Sequence, residues 1–213
     1  MKATAIVPVK RFAAAKRRLG AAITEEERGD LIVAMLHDVL TAISESRMID
    51  RTLVVTGEPA AAEIAAGHGA STIADPPDAD HSQAAVLGVH AALAEGAACA
   101  ALLPGDCPLL DPRELDRVLT GVPERYVTII PDRHGSGTNG LLLAPPDAIR
   151  PAFGEGSRER HVGLARDAGV PYSVEAVASL ALDLDTPGDI VALTTALEMG
   201  RGRAPQTKKA LGI

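Results

Sequence analysis

The sequence predicts an α/β fold: a mostly parallel sheet with helices packed on both faces. Short aliphatic runs alternate along the chain with longer segments of helical period, and parallel strands require such crossovers. A second observation agrees with it. Lys10, Asp106 and Asp185 fall at or just past the ends of apolar runs, where open α/β sheets gather their ligands.

Taken in order, Ala3 to Val7 reads as a buried first strand, closed by Pro8, which cannot donate to a ladder. A basic loop follows, Lys10 to Leu19. Thr24 and Glu27 have the spacing of a capping box. Behind them Leu31, Met35, Leu36, Val39, Leu40 and Ile43 recur at helical spacing, so the first helix runs to about Ser44. Thr52 to Thr56 is the second strand, Ala60 to Ala66 a short helix ended by Gly67, and Ala70 to Ile73 a third strand. Gln83 to Glu95 is an Ala-rich helix and Cys99 to Leu103 a fourth strand. Tyr126 to Ile130 and Leu141 to Ala144 are two more, flanking a Gly-rich loop. A helix starts after Ser157, its expected N-cap, and stops at Gly169. Leu180 to Leu184 is the last strand, and Pro187 opens a helix ending near Gly200. Residues 1–199 therefore read as a single domain. Residues 200–213, basic and without periodicity, read as a flexible tail.

Composition narrows the setting. The chain has 213 residues, ample for a buried core, yet only 2 % are aromatic and Trp is absent. The core is therefore aliphatic, and no aromatic platform exists for stacking single-stranded nucleic acid. A net charge of −7 argues against a polyanion binder, so no nucleic-acid partner is expected. Two cysteines in a chain this long make no disulfide framework, which points to a reducing cytoplasm. No apolar run is long enough for a membrane span.

The chemistry concentrates in a few places. Asp183 and Asp185 are two residues apart, which in a strand puts both on one face. Asp106 follows an apolar run. Three carboxylates delivered this way can converge on a hard divalent cation such as Mg²⁺, which prefers oxygen ligands and shares them with phosphates. The plainer reading is that Asp185 or Thr186 caps the helix opened by Pro187. Capping employs only one of them, however, and leaves Asp183 in need of a partner. Lys10, Arg11, Lys16, Arg17 and Arg18 place five positive charges in nine residues of an acidic chain. They are either a solvated loop or a cradle for a nucleotide triphosphate. Between two strands, Gly135 to Asn139 carries Thr138 and can turn backbone N–H groups inward as an anion nest. Gly154 to Ser157, at a helix start, can do the same. Gln83 either caps its helix or reads a purine edge with its amide. His134 and His161 read as pocket lining. Cys107 lacks a His partner at a recognisable spacing and is a poor nucleophile candidate.

Together Pro8-Val9-Lys10, Lys16 to Leu19, Gly105-Asp106-Cys107-Pro108, Asp132 to Asn139, Phe153 to Ser157 and Leu182 to Asp189 resemble the phospholactate/phosphoenolpyruvate guanylyltransferases of deazaflavin (coenzyme F-420) biosynthesis. The resemblance covers nearly all of residues 1–199. It implies a three-layer fold like that of the nucleotide-diphospho-sugar transferases. It also implies a reaction that joins GTP to a small phosphorylated three-carbon acid and releases pyrophosphate. By matching motif, Asp106, Asp183 and Asp185 would hold two Mg²⁺ ions. Thr138, Asn139, Gly154 and Ser157 would surround the acid, and Lys10, Lys16 and Arg18 the GTP phosphates. Gln83 departs from the family pattern, in which Asn is more frequent. Two other readings stay open: another nucleotidyltransferase of the same fold, of molybdenum-cofactor or sugar-nucleotide type, and a non-catalytic nucleotide-binding module. Which acid is used and whether the chain forms a homodimer are also open at this point.

Overall fold

The structure, a computed structural model, describes residues 2–12, 15–76 and 80–213, with only the backbone of Arg17 and Ala21. The part of the basic loop read onto the Arg17 side chain therefore lies outside the described residues. Seven strands form one sheet: β1 (Ala3–Val9), β2 (Ile49–Thr56), β3 (Ser71–Ala74), β4 (Ala100–Leu102), β5 (Tyr126–Pro131), β6 (Thr138–Ala144) and β7 (Tyr172–Val174). Their spatial order is β3-β2-β1-β4-β6-β5-β7. β1 pairs in parallel with β2 and β4, and β2 with β3. Only β6 runs against its neighbours β4 and β5, while β5 and β7 are again parallel. The mostly parallel sheet expected from the alternation is present.

The helices are α1 (Glu25–Glu45), α2 (Pro59–Gly67), α3 (His81–Ala94), α4 (Pro112–Leu119), α5 (Ser157–Asp167), α6 (Pro187–Glu198) and α7 (Pro205–Leu211). None of the described helices is long and apolar enough to cross a membrane. All seven residues of β1 are buried, as expected of a strand covered on both faces. Ala3, Ala5 and Val7 meet α1 through Leu36, Val39, Leu40 and Ile43. On the opposite face Ile6 meets α3 through Ala84, Ala85 and Val89. A third aliphatic cluster joins Leu31, Ile32 and Met35 of α1 to Leu19, Leu182, Leu184, Leu193 and Leu197. The capping box of α1 is complete, with Glu27 N–H donating to Thr24 Oγ1 at 3.2 Å and Thr24 N–H to Glu27 Oε2 at 2.8 Å.

Four readings of the sequence need correction. The expected strand over 180–184 does not form. Ala178–Leu180 is a short 3-10 turn, and an irregular segment follows. The sheet position is taken by β7 instead. Leu182 and Leu184 are apolar and alternate with acids because the segment lies between an aliphatic cluster and a polar site, not because it pairs. Gly156, with φ +67°, caps α5, and Ser157 is its first residue. Only glycine enters that left-handed region without cost.

The tail read as flexible instead contains α7, docked against α1. The buried carboxylate of Asp38 accepts the N–H of Gln206 at 3.1 Å and of Thr207 at 2.7 Å. An anion there satisfies donors that a helix start leaves open. Thr207 and Ala204 are buried beside it, and Arg203 pairs with Glu45.

His161, read as pocket lining, is wholly buried. Its Nδ1 lies 3.0 Å from Thr138 Oγ1, and its Nε2 accepts the N–H of Ala152 at 2.9 Å. Burial, with Arg160 adding to it, pushes its pKa down to about 4. It is a neutral strut between β6 and α5.

At Gly88, α3 lies close against the sheet. A Cβ there would lie 2.3 Å from Ile6 Cγ2 and 3.2 Å from Val55 Cγ2. Glycine-to-alanine exchange inside a helix ordinarily gains about 1 kcal/mol. Overpacking a core costs about 1–3 kcal/mol, and the β-branched side chains in the way have few rotamers to escape into. The clash should win. Gly88→Ala is expected to lower Tm by about 2–6 °C in calorimetry; an unchanged or higher Tm would show that α3 can lift at no cost.

Candidate active site

The carboxyl ends of β3, β2, β1 and β4 lie side by side and deliver, in that order, Asp75, Gly57, Lys10 and Asp106. The segment before α6 approaches the same edge. Its leucines bury in the third aliphatic cluster, so Asp183 and Asp185 project the other way, toward Asp106. One carboxylate oxygen from each of the three acids lies within 4.8 Å of the others.

The surroundings hold this cluster in place. Asn139 on β6 donates its amide to Asp183 Oδ1 at 3.1 Å and to the carbonyl of Leu180 at 2.8 Å. Asp189 Oδ2 accepts the N–H of Asp185 at 3.0 Å, and of Thr186 at 2.6 Å, with Thr186 Oγ1 at 2.8 Å. Its other oxygen pairs with Arg133. Those hydrogen bonds outweigh burial and hold the Asp189 carboxyl below its usual range. Capping is thus performed by Asp189 and Thr186. The side chain of Asp185 is left for the acid cluster.

Lys16 is the cation among them. Its ammonium pairs with Asp106 and lies 2.7 Å from Asp185 Oδ1. Its backbone sits at φ +56°, unusual for a side chain bearing a Cβ. Burial opposes its charge, but attraction to Asp106 and Asp185 outweighs burial and raises its pKa above the ordinary lysine range. Asp183 shows the reverse. Burial first, and repulsion from Asp106 second, raise its carboxyl above the usual range despite the Asn139 hydrogen bond. A carboxyl raised by like charge is one that a divalent cation would stabilise. The oxygen-only donor set can hold such an ion. Cys107 is buried, and burial with the Asp106 charge pushes its thiol well up, so it stays protonated and inert.

A cavity of about 440 Å³ opens beside the cluster. Lys10, Arg11, Lys16, Asp75, His81, Asp106 and Asp185 give it polar walls, and Ile32, Met35 and Leu36 of α1 an apolar one. Lys10 reaches across to Asp75 Oδ2 at 2.7 Å. Arg11 lines it as a member of the basic run, whereas His81 and Asp75 are additions that the sequence reading does not contain. Asp75 ends β3 much as Asp106 follows β4, and that pattern was its available signal.

Thr138, Asn139, Gly154 and Ser157 do not line this cavity, and neither do Arg18 and Gln83. Arg18 is exposed on the 3-10 turn Arg17–Ala21. Gln83 completes the cap of α3: Asp80 N–H donates to its Oε1 at 2.7 Å, and its own N–H to Asp80 Oδ1 at 2.7 Å. Of the two readings of Gln83, the cap is the one formed.

The two Gly-rich loops are neighbours. Arg158 N–H donates to the carbonyl of Ser136 at 3.2 Å. Phe153 N–H donates to Ser82 Oγ at 2.9 Å, and its ring meets that of the cavity residue His81 at 5.1 Å. Gly154 is at φ +107°, with open space where a Cβ would be. Thr138 is buried against His161, and Ser157 is buried at the start of α5.

Comparison with known proteins agrees with this geometry. Residues 3–204 match the family described as "Guanylyl transferase CofC like". A phosphoenolpyruvate guanylyltransferase of Conexibacter woesei is 44 % identical over 99 % of this chain and 96 % of its own length. One from Sphaerobacter thermophilus is 40 % identical over 89 % and 91 %. Among solved structures, a Desulfovibrio desulfuricans protein described as a nucleotide-diphospho-sugar transferase superposes with a TM-score of 0.75 at 16 % identity. It covers 98 % of this chain and 95 % of its own. The fold is therefore that of the nucleotide-diphospho-sugar transferases. With the family match spanning the sheet, the acid cluster and the basic loop, the chain belongs to the CofC-like guanylyl transferase family.

Proposed function

We propose that this nucleotidyltransferase joins GTP to phosphoenolpyruvate with release of pyrophosphate, using Mg²⁺, as a cytoplasmic step of coenzyme F-420 biosynthesis. The observation that carries the proposal is the convergence of Asp106, Asp183 and Asp185 beside a cavity lined by basic residues. The choice of acid rests on the names of the relatives.

The chemistry needs no general base. A phosphomonoester with a second pKa near 6 is largely ionised at neutral pH. Its oxygen forms a bond to the α-phosphorus of GTP while the bond from that phosphorus to the bridging oxygen breaks, and pyrophosphate leaves with the electron pair. Alignment and charge neutralisation are what the protein must provide. Asp106, Asp183 and Asp185 would hold the metal, and bound Mg²⁺ supplies electrostatic stabilisation of the reacting phosphates. Lys16 stands where it can exchange its carboxylate partners for a phosphate oxygen. Thr138 and the backbone N–H groups of Gly154 to Gly156 would receive the acid, whose carboxylate suits a helix start. Asn139 acts through Asp183, which it orients.

Two expected outcomes test the assignment. Asp183→Asn should keep the fold, since Asn can still accept from Asn139, but should reduce pyrophosphate release from GTP and phosphoenolpyruvate by at least about a hundredfold. Near-normal turnover at low Mg²⁺ would remove Asp183 from the metal site. Release undetectable in the wild type with any of the three-carbon phospho-acids would favour a binding module. The second concerns Gly154. A β-branched side chain at φ +107° costs about 1–2 kcal/mol of strain and displaces the loop. Gly154→Val should raise KM for the acid about tenfold and leave KM for GTP nearly unchanged. The opposite pattern would exchange the two substrate sites.

A further inference from the structure

Asp75 ends β3, on the far side of the cavity from the acid cluster. Its N–H continues the ladder to the carbonyl of Thr56 at 3.1 Å, which fixes its backbone. The side chain is only 6 % exposed. One oxygen, Oδ2, takes the ammonium of Lys10 at 2.7 Å. The other, Oδ1, is buried and has no hydrogen-bond partner among the described residues. A buried carboxylate oxygen without a donor is costly, and this one belongs to a residue of the cavity wall.

The position is informative. From β3 across β2 and β1 to β4 is three strand spacings, about 14 Å at the usual separation. Asp106 and Lys16 stand at the β4 end, where the α-phosphate must react, so the β3 end is where the base of a nucleotide lying across the strand ends would reach. The cavity wall continues through Gly57, where a Cβ would meet the carbonyl oxygen of Asp75 at 3.1 Å.

We propose that Asp75 reads the guanine base, its carboxylate accepting the ring N1–H and the exocyclic 2-amino group. This rests on the guanylyl-transfer reading of the site and deepens it. Guanine presents those two donors side by side, the complement of a carboxylate. Adenine offers an acceptor at N1 and carries no amino group at C2, so it meets the same carboxylate with repulsion. A pocket built to bond a donor rejects analogues that lack it, because its own group is then left unpaired. Lys10 holds one oxygen and so orients the pair. Gln83, the base reader suggested by sequence, has its Oε1 bound in a helix cap.

The test compares kcat/KM for GTP, inosine triphosphate and ATP in the wild type and in Asp75→Asn. Inosine triphosphate differs from GTP only by the missing 2-amino group. The wild type should prefer GTP over inosine triphosphate by about ten- to a hundredfold and over ATP by more. In Asp75→Asn both ratios should fall toward one, with GTP losing most. An equal loss for all three nucleotides, leaving the ratios intact, would overturn the proposal and assign Asp75 to the ribose or to holding Lys10. So would a wild type that uses GTP and inosine triphosphate equally. A wild type that turns over none of the three would overturn the guanylyl-transfer reading itself, and this proposal with it. Should Asp75→Asn fail to fold, Asp75→Glu serves: it keeps the charge but displaces the oxygen pair, and the GTP-to-inosine-triphosphate ratio should again fall.

Discussion

Three carboxylates within 4.8 Å of one another repel, and the rest of the site is arranged around that fact. Lys16 meets two of them, Asn139 the third. Each of these partners comes from a different part of the sheet. Lys16 needs the loop that leaves β1, and that loop is held by Arg28, whose guanidinium donates to the carbonyl of Ala15 at 2.5 Å. Asn139 needs β6, the one strand that runs against the others. The acids need the leucines beside them to bury in the third aliphatic cluster. An acid site of this kind is the product of packing far from it.

The same arrangement separates the roles of neighbouring charges. Asp185 and Asp189 are four residues apart, yet only Asp189 is spent on the backbone and on Arg133. Lys10 and Lys16 leave the same strand end, yet one meets Asp75 and the other the acid cluster. A basic run that reads as one cradle in sequence is divided between the two ends of the cavity.

Much of this was legible before any coordinates. The parallel strands announce themselves as unbroken aliphatic runs, because burial on both faces removes polar alternation. Asp106, Asp183 and Asp185 stand out because an acid next to such a run needs a reason to be there. The failures are equally physical. β7 is three residues long with a polar centre, Tyr172-Ser173-Val174, too short to show a period. Leu182 to Asp185 shows a strand period without pairing, since any segment between an apolar layer and a polar site must alternate. α7 is anchored by a carboxylate some 170 positions earlier in the chain, a link no local pattern can carry. Asp75 escaped because β3 is short, half polar and mostly exposed, so its end did not look like the rim of a pocket.

The docking of α7 on α1 has a consequence for the order in which the molecule is made. Lys16 and the apolar cavity wall of α1 leave the ribosome roughly 170–190 residues ahead of the helix that covers Asp38. At typical translation speeds that is an interval of roughly 10–40 s. During it the buried Asp38 carboxylate has neither of its two N–H donors, and the aliphatic cluster behind the acid segment is still without α6. The α1 wall of the cavity is therefore braced late, by a helix whose residues do not line the cavity.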